Sequence, residues 1–561
     1  MSRANARIAL AALAVLLTAA DTYVVVLALP DMMRAVGLNG DELGRAAPII
    51  SIFLLGYVAM LPTVGRLADL VGRVPVLTGC LVVFAAGCLV TTTAHTLPSV
   101  VVGRGLQGIG AGGLVPATLA LVADAYPPGR RGVPLGAVGA AQEAGALLGP
   151  LYGALILSVA AWRAIFWVNL AAGAVLAIAM GFRRARVDWL GVGLAMVAVA
   201  GLVLLLVAPA AIVNDYTYGT VYDPLFGGGR ATSPLAVGTL VLAVLAAVRL
   251  VHWRRLAAVA RRVDVPGALL AALTLGCVVL ALSVGDPQKH AIAVDGPYLL
   301  AAAGVFLLLF VVRERRAADP LVPPRAFARR PAYGGLIVSL FIGAALIAAL
   351  VDVPIIGRLS GRNQLGAALL LVRLLAAVPV GALLGGRASH AIGPRLTVVI
   401  GALLAATGIG LMTQWHRSTL AHVDATVALV VAGFGFGLTI APINAAVLDA
   451  TSSAVHGLAS AMVIVARTVG MLVGLSALTA IGLSRFAHAT ARLASPLELC
   501  PQTPAHCTPY NHAVRDAGIA EVHAVFTGAS IAAGLAALCA AVLLSGRLGA
   551  PSTAADAAAP R

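Results

Sequence analysis

Five ionisable side chains stand well inside apolar runs of this chain: Asp21, Arg104, Glu143, Arg373 and Arg467. Each costs on the order of 3 kcal/mol at the centre of a membrane-spanning helix, so a charge there points to a task. Asp21, Glu143 and Arg467 form the most telling set. Two acids and one arginine carry one excess negative charge, which a single proton neutralises. An acid desolvated beside another acid gains proton affinity, and a neighbouring arginine opposes that gain. The expectation is that Glu143–Arg467 is a proton-sensitive lock and that Asp21 is its coupled proton acceptor. The alternative is a static buried pair that only fixes packing. Asp352 and Asp449 sit near the ends of their runs and are read as interface residues that reach water.

Glu143 stands in the stretch GAAQEAGALLGPLYGA, Gly139 to Ala154. There Gly145, Gly149 and Gly153 recur every four residues, a smooth ridge on which a second helix can pack closely. Glu143 is two residues from Gly145, about 200° around the helix, so it faces away from that ridge and toward a cavity. Pro150 follows a glycine and can bend the helix. In GRGLQGIGAGG, Arg104 and Gln107 are surrounded by small residues, which leaves the arginine open to water or a partner. Arg373 is a possible lining residue of the same cavity.

The elements that must hold these groups follow from composition. The 561 residues are 60% hydrophobic and 11% charged, with a mean hydropathy of +0.99, which excludes a water-soluble domain. Apolar runs of about twenty residues recur, each long enough to cross ~30 Å of hydrocarbon as a helix. The net charge of +16 does not indicate nucleic acid. Its arginines cluster in alternate short loops: Arg66 and Arg73; Arg130 and Arg131; Arg183, Arg184 and Arg186; Arg254, Arg255, Arg261 and Arg262; and from Arg313 to Arg330. This is the positive-inside pattern, which places those loops and both termini in the cytoplasm. Arg3 and Arg7 precede a run that continues past Asp21 to Pro30, read as a retained first helix and not a signal peptide.

An all-α polytopic protein of about sixteen transmembrane helices is expected: six between residues 8 and 182, four between 189 and 313, and six between 332 and 545. The corresponding units are an N-terminal six-helix half (1–185), linker helices in two hairpins (186–330), a C-terminal six-helix half (331–548) and a disordered tail (549–561). The two halves repeat each other. GRLADLVGR, Gly65 to Arg73, matches GRASHAIGP, Gly386 to Pro394, with Asp69 replaced by His390 and Arg73 by Pro394. Pro116, Asp124 and Glu143 align within one residue with Pro442, Asp449 and Arg467, so Glu143 and Arg467 are mates on opposite halves. Such repeats build transporters with a site between the halves at the membrane midplane. RVDWLGVGL and RVDVPGALL each open one linker hairpin.

Cys80, Cys88, Cys277 and Cys539 lie in apolar runs as packing residues. Cys500 and Cys507 lie in a loop placed outside, where a disulfide can form. Residues 485–519 are helix-compatible and lengthen both flanking helices outside, with a break at Pro501, Pro504 and Pro509. Residues 213–234 form a second long outside loop. No CxxC or histidine cluster suggests a metal.

These motifs resemble the major facilitator superfamily along nearly the whole chain. GRLADLVGR resembles its cytoplasmic signature, in which Gly65, Asp69, Gly72 and Arg73 match the gating residues. The resemblance implies that Asp69 caps a helix of the opposite half in the outward-open state. GRGLQGIGAGG resembles the fourth-helix signature and GALLGPLYGA the fifth-helix signature of exporters, with Ala154 in place of its last glycine. DTYVVVLALP and WRAIFWVNL resemble drug:proton antiporters with extra linker helices; a second linker hairpin departs from their fourteen helices. Within the family, LLTAADTYVVV, GAAQEAGALLGPLYG and HGLASAMVIVARTVGMLVGLSALTAIGLSRF are similar to the mycobacterial triacylglyceride exporters, which work with a periplasmic lipoprotein carrier. The resemblance implies a monomeric, proton-driven exporter of a lipid in the plasma membrane, needing no cofactor beyond the proton gradient. Multidrug:proton antiport is the rival reading. An enzyme, such as a lipid transferase, is disfavoured because neither paired metal-binding acids nor a nucleophile with its base is present.

Overall fold

The computed structural model describes residues 3–38, 43–46, 48–181, 189–207, 210–213, 215, 219–223, 233–250, 264–282, 295–317, 319–362, 364–416, 419–500 and 507–545. Among them there is no strand. The long helices are α1 (Arg3–Ala35), α2 (Pro48–Val71), α3 (Arg73–Thr92), α4 (Leu97–Ala125), α5 (Gly132–Val159) and α6 (Arg163–Gly181) in the first half. The linker holds α7 (Trp189–Val207), α8 (Pro234–Leu250), α9 (Val265–Leu282) and α10 (Gly296–Arg316). The second half holds α11 (Arg330–Leu359), α12 (Gln364–Ile392), α13 (Pro394–Met412), α14 (Val423–Ala450), α15 (His456–Thr490) and α16 (Thr508–Leu543). Thirteen described helices are long and apolar enough to cross a membrane. The long helices outside that set are α5, whose glycines and Glu143 lower its hydropathy, and α7 and α8, where the apolar stretch is shorter. A count of sixteen crossings rests on these three. Arg183, Arg184, Arg186, Arg254, Arg255, Arg261, Arg262 and Lys289 lie outside the described residues, as do most of the 213–234 loop and the tail from 549.

A chain in hydrocarbon must satisfy its backbone internally, so it folds as helices. Hydroxyls that have no partner nearby bond back to their own turn, as Thr18 does to the carbonyl of Ala14. The two halves then use one packing plan. In the first, α4 packs on α2 and α3, α1 on α5, and α3 on α6. In the second, α14 packs on α12 and α13, α11 on α15, and α13 on α16. Small residues make the plan possible. A Cβ at Gly108 or Gly112 would run into the backbone carbonyls of Phe53 and Tyr57 on α2. One repeat later, a Cβ at Gly433 or Gly437 would run into those of Leu374 and Val378 on α12.

The halves meet along two seams, α2 against α15 and α5 against α12. In the linker, α7 packs on α8 and α9 on α10, two hairpins as the duplicated openings imply. Helix α9 also touches both α2 and α15, riding over the first seam. Arg313 Nη2 on α10 holds Asp264, before α9, at 2.9 Å. At 35 and 36 residues, α15 and α16 each run about 50 Å, well past the hydrocarbon. The Cys500–Cys507 disulfide lies between them, with Cα atoms 5.6 Å apart. Helix α16 starts at Thr508, so Pro509 stands in its first turn and does not break it.

Candidate functional site

Two cavities lie on the axis between the halves. The outer one, of about 390 Å³, is walled by α1, α2, α4, α5, α11, α12 and α15. Its lining is mostly apolar, from residues such as Val15, Leu54, Leu350, Leu371 and Met471, with Tyr23 and Tyr57 on one wall. The inner one, of about 40 Å³, lies between α4, α5, α11, α12, α14 and α15. Glu143 and Arg467 line both. Arg467 Nη1 stands 3.4 Å from Glu143 Oε1, with the side chains 19% and 12% exposed. The expected pairing of these repeat mates across the halves is therefore present, and it forms the floor of the outer cavity.

The glycine ridge explains how Glu143 is aimed. A Cβ at Gly145, Gly149 or Gly153 would strike Leu16, Ala20 or Val24, one turn apart on α1. With that face of α5 locked to α1, Glu143 points to the axis, and Pro150 lines the outer cavity.

Asp21 departs from the expectation. Its carboxylate is fully buried and does not line either cavity. Oδ2 lies 2.7 Å from Arg104 Nη1, and Oδ1 accepts from Asn169 Nδ2 at 2.7 Å. Arg104 also donates to Gln107 Oε1 and stacks on the Phe53 ring at 4.3 Å. Gln107 Nε2 in turn donates to Cys88 Sγ at 3.2 Å, and Tyr152 donates to Asn169 Oδ1. The three-way meeting of Asp21, Glu143 and Arg467 is thus replaced by two separate neutral pairs. One is Asp21–Arg104, inside the first half. The other is Glu143–Arg467, between the halves. The physical reason is helix phase. The cavity face of α1 holds Val15, Thr18, Ala19, Thr22 and Tyr23, and Asp21 sits about 120° beyond Val15 on the far side of that face.

The inner end is closed at both seams. At the α2–α15 seam, Asp69 accepts from the N–H groups of Gly457 and Leu458, at 2.8 and 3.0 Å, at the start of α15. Its side chain is 1% exposed, so the carboxylate meets the orphan N–H groups and positive end of that helix without water. Arg73 ties Asp69 to Asp124, whose Oδ2 is 3.1 Å from its Nε, and reaches the carbonyl of Ser453. His456 lies 3.9 Å from Asp124. Gly72, at φ 103°, makes the turn that only glycine adopts without strain, and its mate Gly393 keeps φ 84°. At the α5–α12 seam Arg131 holds Asp449 at 2.7 Å while donating to the carbonyls of Ala123 and Tyr126. A Cβ at Gly65 would lie 2.7 Å from the carbonyl of Gly457, and Gly132 and Gly386 make the matching contact at the second seam.

Asp449 is therefore an inter-half partner and not a solvated end residue. Arg373 donates to Thr426 on α14 at 2.8 Å and does not line either cavity. Arg131 and His456 were legible only as repeat mates, 325 residues apart; Asn169 and Asn444 had no signal in their spacing. Among the described residues, no group of three or more His, Cys, Asp or Glu side chains is placed to hold a metal.

A family model described as Major Facilitator Superfamily matches residues 11–312. The chain is 37% identical over 486 residues to a triacylglyceride transporter of Mycolicibacterium hassiacum, covering 84% of this chain and 78% of that one. It is 35% identical over 574 residues to a triacylglyceride transporter of Mycolicibacterium smegmatis, covering 97% and 89%. Against the triacylglyceride transporter of Mycobacterium tuberculosis it is 35% identical over 520 residues, covering 88% and 86%. Among solved structures it is similar to the human organic anion transporter MFSD10, at TM-score 0.55 and 16% identity over 96% of this chain and all of that one. The proton:xylose symporter XylE follows at TM-score 0.52 and 14% identity, covering 93% and 94%. The glycine-built halves, the Asp69-capped seam and these matches agree: the chain is a multi-pass membrane transporter and belongs to the major facilitator superfamily.

Proposed function

We propose that the protein exports a triacylglyceride-like lipid by proton-coupled alternating access in the plasma membrane, with both termini cytoplasmic. The single observation that carries the coupling is the Glu143–Arg467 pair, the charge contact between halves at the floor of an otherwise apolar cavity. Protonating Glu143 strips Arg467 of its counter-charge. A lone guanidinium in that setting is strongly disfavoured, so the halves gain a reason to separate and admit water. Lipid release toward the outer side then follows the same swing. The relatives' names support the lipid, and the outer extension of α15 and α16 supports a periplasmic lipoprotein as the acceptor.

Uptake of radiolabelled triolein into inverted proteoliposomes under an imposed pH gradient tests this. Glu143→Gln is expected to abolish gradient-driven uptake while exchange at equal pH persists. Gradient-driven uptake at the wild-type rate by this variant, with normal expression, defeats the coupling. Multidrug antiport is the second reading, favoured by one observation. A cavity of about 390 Å³ is the size that encloses a drug-like molecule, roughly 300–1,000 Å³, and cannot contain a whole three-chain lipid. In a deletion strain, unchanged surface triacylglyceride with raised dye retention selects that reading.

A further inference from the structure

The inner cavity has a polar feature that the lock does not use. Asn444, on α14, is 7% exposed and lines it. Its Nδ2 donates to the carbonyl of Ile440 at 2.9 Å, but Oδ1 is buried with no hydrogen-bond partner in the protein. A buried amide oxygen left without a donor costs about 1–3 kcal/mol. Gln142 stands opposite on α5, next to Glu143, and lines the same space. The volume of about 40 Å³ has room for two or three water molecules at roughly 10–15 Å³ each, and the polar partners a water requires are there.

We propose that Asn444 and Gln142 bind a small water cluster against the inner side of Glu143, and that this cluster passes the proton between Glu143 and the inner end. The inference rests on the coupling role of Glu143 given above. The step is a plain proton relay. Glu143 gives its proton to a water, that water gives one onward, and the carboxylate is left to re-form its contact with Arg467. The outer cavity supplies the other route, so the acid stands between two wet compartments and is reached from each in turn. The next ionisable group along α14 toward the inner end is Asp449, five residues on, held by Arg131. The charged and titratable groups that face Glu143 are Arg467 on α15, Tyr23 on α1 and Tyr57 on α2. From α4, α11, α12 and α14 it meets neutral residues such as Val115, Leu346, Leu371, Val378 and Asn444. Among the described residues, no other charge lines the cavities to take the proton in its place.

Two measurements on the full chain in proteoliposomes separate a relay from a packing role. One is proton movement under an imposed pH gradient, read by an internal pH dye in the presence of triolein. The other is radiolabelled triolein exchange at equal pH. Asn444→Leu is expected to slow proton movement about tenfold, an order below the effect of removing a proton-transfer residue outright. Exchange stays within about twofold of wild type in that variant, because the lock itself is untouched. Asn444→Ser, which keeps a hydroxyl and leaves room for water, restores proton movement. Wild-type proton movement in Asn444→Leu overturns the relay, as does an equal fall of both readouts. If Glu143→Gln moves protons normally, the coupling role of Glu143 is at fault, and the relay falls with it.

Discussion

The two inner seams descend from one repeat, yet they are closed by different chemistry. At the α2–α15 seam a carboxylate caps a helix: Asp69 binds the first N–H groups of α15, and Arg73 braces it against Asp124. At the α5–α12 seam the position of that acid is taken by His390, which is exposed, and the ion pair beside the seam joins Arg131, before α5, to Asp449 on α14. What both seams keep is the backbone crossing, Gly65 on Gly457 and Gly386 on Gly132. Shape is thus retained on both sides, and so is the contact of an acid with a basic group, Asp124 with His456 and its mate Asp449 with Arg131; what the second seam lacks is the capping carboxylate. The difference teaches that a glycine crossing lets two halves touch but does not set how firmly they hold.

The comparison can be broken most sharply at Arg131. Arg131→Ala leaves Asp449 buried without its ion-pair partner, and strips the Ala123 and Tyr126 carbonyls of a donor. The expected cost to the inner-closed state is about 3–5 kcal/mol, a shift of at least a hundredfold toward inner opening. Spin labels on the exposed positions Arg130 and Arg387, read by pulsed electron paramagnetic resonance, report it as a longer distance. Asp69→Ala comes next, at about 2–3 kcal/mol, because Arg73 keeps Asp124 as a partner. An Asp69 effect larger than that of Arg131 would reverse the ranking of the seams. Gly72→Ala is smaller, about 1–2 kcal/mol from backbone strain at φ 103°, and appears as a lower unfolding temperature in detergent. The smallest effect sharpens the comparison. His390→Asp restores the missing acid near the start of α5 and is expected to stabilise the closed state by about 0.3–1 kcal/mol. A shorter mean label distance in that variant, lost at high salt, confirms a dipole contribution.

Much of this arrangement is legible in the chain, for identifiable reasons. Gly145, Gly149 and Gly153 declare their face by spacing alone, so the opposite placement of Glu143 follows. Glu143 and Arg467 find each other because duplication marks them as mates. Asp69 is legible through GRLADLVGR, whose resemblance to the family's cytoplasmic signature implies that this acid caps a helix of the opposite half. Asp21 was misplaced because depth in the membrane was read without phase around the helix. Its true partner, Arg104, stands in an equally apolar run and offers the compensating charge, yet nothing in the spacing ties position 21 to position 104. Asn444 is silent for another reason. One amide in an alanine-rich helix becomes informative only when its oxygen is seen to lack a partner.

Helix α9 lies across the seam that Asp69 closes, resting on α2 of one half and α15 of the other, with Gly276 allowing Leu55 of α2 to come close. A passenger seated on two boats cannot stay seated when they part. In the proposed alternating-access cycle this linker helix must slide along one neighbour or let it go, which would give residues far from any charge a share in setting how fast the transporter cycles.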